Sequence, residues 1–117
     1  MAIAFVELFR VVSDAEWQDI QGTGGFRPVP ASMEGKWFAE SEADARQWGR
    51  RLYTDAGQPC VLVKVVVPVP QANTLLRLGW LDNIGPARFA EDSDLVIINQ
   101  TKLGPVIEVA AILPGVP

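Results

Sequence analysis

The chain has 117 residues, 49% of them from the hydrophobic set, which is enough for one domain spanning residues 1–117 to bury a core without metals or disulfides. Ten Lys and Arg against 14 Asp and Glu leave a net charge of −4, the wrong sign for a protein held on nucleic acid by counterion release. One cysteine and no histidine exclude an intrachain disulfide, a Cys/His zinc site and any catalysis that uses imidazole as its base.

The first segment, "IAFVELFRVV", is rich in Val, Phe and Leu and predicts a strand in which Phe5, Leu8 and Phe9 supply apolar bulk. "SDAEWQDIQ" follows with Ser13 three residues before Glu16, the spacing of a capping box, and predicts a short helix. The "GTGG" after it lacks the GxGxxG fingerprint and follows a helix instead of opening one, so it reads as a helix stop. The prolines of "FRPVPAS" bias their predecessors to extended backbone and predict a loop, with residues 22–33 as the rim of a site.

"GKWFAE" predicts a short strand, and "SEADARQWGRRLY" a helix whose apolar face is Ala45, Trp48 and Leu52, with Ser41 and Asp44 as its N-cap signature. Lys36, Arg46, Arg50 and Arg51 lie close in sequence here, a pattern that usually solvates an exposed face. "CVLVKVVVP" is the strongest strand signal, a nearly unbroken β-branched run suited to a sheet interior, in which Cys60 reads as a packed thiol more readily than as a nucleophile. "QANTLLRLGWLDNIGPARFAE" predicts a helical turn at 75–78 and then a Gly- and Pro-punctuated loop. "DLVIIN" and "PVIEVAAIL" predict two strands joined as a hairpin through "QTKLG". The fold class is therefore α+β: two to three short helices packed on a small split sheet, mixed or antiparallel. With no basic leader and no apolar run long enough to span a membrane, the expectation is a soluble, cytoplasmic domain.

Among groups that could carry chemistry, most carboxylates sit at helix starts, where the macrodipole favours them. Glu91, Asp92 and Asp94 form a local cluster without EF-hand spacing or its glycine, so no metal site is assigned. Arg10 stands out, because a guanidinium between Phe9 and Val11 in a strand must either reach solvent or find an anion. A planar donor of this kind suits phosphate or ribose oxygens.

The succession "LFRVVS", "FRPVPASMEGKWFAES" and "EADARQWG" resembles the amino-terminal half of small bacterial ADP-ribosyltransferase-fold domains, which include toxin modules, rifampicin-modifying transferases and NAD-degrading RES toxins. The resemblance covers residues 7–49, and more loosely the strand after them. It implies a split sheet around an NAD cleft, with Arg10 holding a ribose or phosphate of the dinucleotide. Phe38 would flank the nicotinamide, Ser41 would support the arginine or the ribose, and Trp37 would neighbour them from the opposite strand face. It also implies a late carboxylate, Glu91 or Glu108, near the nicotinamide ribose, with Gln100 a weaker match. NAD would then be the substrate, cleaved by transfer of ADP-ribose to a macromolecular or small-molecule acceptor, or by hydrolysis. The setting by resemblance is a toxin or effector module delivered into a target cell and met by an immunity partner. The alternative is a non-catalytic α+β interaction module whose Arg10 and carboxylates only solvate or pair.

Overall fold

The computed structural model describes residues 4–28 and 35–115. In chain order the elements are β1 (Phe5–Val12), α1 (Asp14–Thr23), β2 (Gly35–Ala39), α2 (Glu42–Leu52), β3 (Cys60–Pro68), α3 (Val69–Ala72), β4 (Leu76–Leu81), β5 (Gly85–Glu91), α4 (Asp92–Thr101) and β6 (Ile107–Ile112), with a 3-10 turn at Thr54–Ala56. The six strands form one antiparallel sheet in the order β4-β5-β2-β1-β3-β6. Among the described residues there are four α-helices, where two to three were expected.

Strand alternation sorts the core onto the two faces of the sheet. From β1, Leu8 and Val12 join Val61, Val63, Val65 and Val67 of β3 beneath α1 and α4, which contribute Ile20, Leu95 and Ile98. Phe9, Val11 and Leu62 point the other way and pack against Ala45 and Trp48 of α2. β3 is buried on both faces over its first four residues, 60–63, and beyond them on the face of Val65 and Val67, while Lys64, Val66 and Pro68 are partly exposed. Phe38 lies in the first cluster and meets Phe26 edge to face at 5.0 Å. Its burial stabilises the fold by about 1.5–3 kcal/mol.

The helix starts follow the sequence. Ser13 Oγ accepts the Glu16 amide at 3.1 Å and Ser41 Oγ the Asp44 amide at 3.2 Å. α1 ends on Gly24 in the left-handed conformation at φ 84, with its N–H donating to the Ile20 carbonyl. Gly25 is required for space: a Cβ there would collide with the Asn99 amide. That amide clamps the chain, since the Phe26 N–H donates to Asn99 Oδ1 at 2.9 Å and Asn99 Nδ2 donates to the Phe26 carbonyl at 2.8 Å.

Two expectations fail in the second half of the chain. The segment expected as a helical turn and loop is a hairpin, β4 to β5, closed by Asp82 and Asn83, both at positive φ (51 and 61), with the Ile84 amide donating to the Leu81 carbonyl. That is a tight turn with both central residues at positive φ, filled by Asp-Asn in place of the familiar Asn-Gly, and the ladder resumes with Leu81 opposite Gly85. "DLVIIN" is not a strand but part of α4, started by the Glu91 N–H donating to the Asp94 carboxylate. Leu95 and Ile98 are buried at helical spacing while Val96 and Ile97 remain exposed, so tertiary packing overrides β-branched propensity. The hairpin through "QTKLG" is consequently absent, and this stretch links α4 to β6.

Candidate functional site

β1 and β3 run in register over eight residue pairs, from Phe5 opposite Pro68 to Val12 opposite Val61, whereas β1 and β2 meet at the single pair Phe9 and Ala39. Beyond that pair the strands separate. The Arg10 side chain spans the gap, its Nη1 donating to the Trp37 carbonyl at 3.1 Å. A backbone acceptor on β2 is thus satisfied by a side chain of β1.

Arg10 is held in turn from α1. Its Nε and Nη2 donate to the two carboxylate oxygens of Glu16 at 2.9 and 3.0 Å, a forked pair. Lys36 Nζ lies 3.3 Å from Glu16 Oε2, and the lysine side chain is only 4% exposed. Burial works against the Glu16 charge, but the Arg10 bonds and the Lys36 charge outweigh it and hold the carboxyl below its usual range. Lys36 is pushed down, by burial first and by the Arg10 charge second. Two cations around one carboxylate leave this cluster with one positive charge in excess. Tyr53, at the end of α2, has its phenol pushed up by burial.

A cavity of about 420 Å³ opens at the gap. Its walls are Phe9, Arg10 and Val11 from β1, residues 35–39 from β2, and Trp48 and Leu52 from α2, with Leu81, Asp82 and Ala87 from the β4–β5 hairpin. The volume falls in the range of ligand sites, about 300–1,000 Å³. Its chemistry is aromatic along the sides and cationic at the gap. Arg51 ties two of these walls together, its Nη1 donating to the Asp82 carbonyl at 2.7 Å while its guanidinium lies 5.8 Å from the Trp48 ring centre.

Of the residues singled out in the sequence, Arg10 and Trp37 meet in this cavity, and Phe38 borders it while its ring is buried against Phe26 in the first core cluster. Trp37 faces away from Phe38, as strand alternation requires, and packs on Phe89 at 4.9 Å. Ser41 caps α2 and is not a wall of the cavity. Glu91 stands at the start of α4, opposite Gly35 in the β2–β5 ladder, and its carboxylate is likewise not among the walls. Glu108 is opposite Val63, which is itself opposite Arg10, so Glu108 and Arg10 share one cross-strand row two strands apart. By strand spacing that is roughly 10 Å. Glu108 opens onto a different cavity of about 330 Å³ with Trp17, Ile20 and Val106. The expected rim loop is described only at residues 22–28, because 29–34 lie outside the described residues.

Sequence reasoning missed Glu16, Lys36 and Asp82. Glu16 was absorbed by the capping-box pattern, but its side chain turns to Arg10 and Lys36. The signal that could have found it was Arg10 itself, a strand guanidinium whose required anion lies six residues on, across a β-to-α turn with no loop. Among the described residues no cluster of three or more metal-ligating side chains occurs, and no helix is long and apolar enough to cross a membrane. Compared with known proteins, the chain matches no family model, no curated protein and no solved structure.

Proposed function

We propose that the cavity at the β1–β2 gap binds NAD and that the domain cleaves its nicotinamide–ribose bond, as an ADP-ribosyltransferase or NAD glycohydrolase. The observation that carries this reading is the convergence of Arg10, Trp37 and Trp48 on one cavity where the sheet parts. The excess positive charge of the Arg10, Lys36 and Glu16 cluster behind the gap favours an anion such as the pyrophosphate through its field, and the Trp37 and Trp48 rings suit a flat heterocycle. Loss of nicotinamide develops positive charge on the ribose, which a nearby carboxylate stabilises without a strong base. Asp82, exposed at the mouth, is the acid from the latter half of the chain that lines the cavity, and it takes the role the resemblance gave to Glu91 or Glu108. Acceptor, delivery into a target cell and an immunity partner rest on that resemblance alone.

One observation favours the second reading, a non-catalytic interaction module. The Arg10 guanidinium is bonded internally through Nε, Nη1 and Nη2, as a structural tie would be. The two readings separate by experiment. The NAD reading expects NAD to raise the melting temperature, Lys36→Met to abolish that rise, and Asp82→Asn to keep it while NAD turnover drops at least about tenfold, or 1.4 kcal/mol of barrier. No thermal shift and no turnover with folded wild-type protein selects the module. Turnover unchanged in Asp82→Asn removes Asp82 from the chemistry.

A further inference from the structure

The sheet ends at β4 on an unusually bare edge. β5 is the neighbour of β4 in the sheet order, so the outer amides and carbonyls of β4 have no strand partner among the described residues. Three large apolar side chains recur at alternate positions along it: Leu76, Leu78 and Trp80, at 58, 38 and 64% exposure. Leu76 stands opposite Phe89 and Leu78 opposite Ala87, which puts both on the sheet face that carries Trp37. Natural proteins blunt such edges with charge, proline or bulges. Here the bulge lies between Leu78 and Leu81, close to the turn, and leaves the first half of the strand straight.

Charge selects what fits. Arg77 alternates to the opposite face, where it stands opposite Arg88 and both guanidiniums bond the one carboxylate of Glu40. Two cations against one anion leave that side of the edge with one excess positive charge, on a partly exposed Arg77. A second copy of this chain paired antiparallel through β4 brings no carboxylate to Arg77 in any register, since the strand reads LRLGWL, and the register centred on Arg77 sets arginine opposite arginine, which is destabilising.

We propose that β4 is a docking edge for an extended segment of a partner protein in which apolar side chains alternate with acidic ones. The segment extends the sheet by one strand, its apolar side chains covering Leu76 and Leu78 and its carboxylates meeting Arg77. Main-chain bonds then supply much of the affinity, and the alternation supplies the choice of partner. The surface is distinct from the cavity at the β1–β2 gap, and the inference does not depend on NAD binding.

The test uses the whole chain and a blocked synthetic heptapeptide alternating valine and glutamate, followed by amide and indole NMR shifts. Saturable shifts confined to the β4 amides and the Trp80 indole are expected, with the valine–lysine counterpart about tenfold weaker or worse, equivalent to 1.4 kcal/mol. Arg77→Glu should reverse that preference. Trp80→Glu, at a site exposed enough to leave the circular dichroism unchanged, should abolish binding. Equal binding of the two peptides, shifts elsewhere, or no saturable shift at millimolar peptide overturns the proposal. A concentration-dependent dimer in sedimentation that Trp80→Glu dissolves also overturns it, by giving the edge to a second copy.

Discussion

Two carboxylates in this domain are each held by two cations, Glu16 by Arg10 and Lys36, and Glu40 by Arg77 and Arg88. The carboxylates themselves are almost equally exposed, at 17 and 21%. What differs is the second cation. Lys36 is shut inside the sheet, while Arg77 reaches solvent from the edge strand. The comparison teaches that the cost of losing the anion is set by what the stranded cation can do afterwards. Arg77 can swing into water; Lys36 cannot without opening the sheet.

The largest expected effect follows directly. Glu16→Ala should lower unfolding free energy by about 3–5 kcal/mol, because it leaves two buried like charges facing each other. Glu40→Ala should cost less, about 1–3 kcal/mol, because Arg77 can turn to water and Arg88, though only 14% exposed, keeps its bond to the Ala72 carbonyl. Urea denaturation of both variants measures the gap, and equal losses would break the comparison.

A smaller effect lies in pH. Both carboxyls are held below 4.5, Glu16 against the opposition of burial and Glu40 chiefly by its bond to Arg77, so each binds a proton more weakly folded than unfolded. Their stabilisation is present above that unfolded value and is lost as pH falls through the folded one. The alkaline side separates the clusters. Lys36 is held below 10.5, chiefly by burial, so the folded state sheds this proton first and stability from this group rises with pH between the folded value and 10.5. The Glu40 cluster contains only arginines and has no such limb. Stability measured from neutral pH to pH 10 in wild type and Lys36→Met should show the rise in the first and not in the second.

The smallest effect is that of salt. Raising sodium chloride to about 1 M, where the Debye length shrinks to roughly 3 Å, should remove most of the Glu40→Ala difference and little of the Glu16→Ala difference. Denaturation midpoints of the two variants against wild type at low and high salt give the answer.

How much of this could be read in the sequence depends on where the decisive interactions lie. β1, β3, α1 and α2 were legible because hydrophobic period and caps are local: Ser13 and Ser41 announce their helices within four residues. α4 and the β4–β5 hairpin were not, for opposite reasons. Val96, Ile97 and Ile98 look like a strand until Leu95 and Ile98 find the core, and Asp82-Asn83 adopts a positive-φ turn without the glycine that usually marks one. At the cavity, Arg10 was legible because a guanidinium between Phe9 and Val11 is conspicuous in a strand, whereas Trp37 and Phe38 were named only through the resemblance. Glu16 was hidden by a second role, and Asp82 became a wall of the cavity only through a hairpin the sequence did not reveal.

The Phe26–Asn99 clamp has a consequence for synthesis. When the first third of the chain leaves the ribosome, the Phe26 amide and carbonyl must stay hydrated, since the side chain that satisfies them is 73 residues away. β2 is in the same position, with one rung to β1 and its five-residue ladder waiting on β5. The amino-terminal third therefore has no finished resting state of its own, and a nascent chain halted before α4 carries an open flank where the completed molecule is closed.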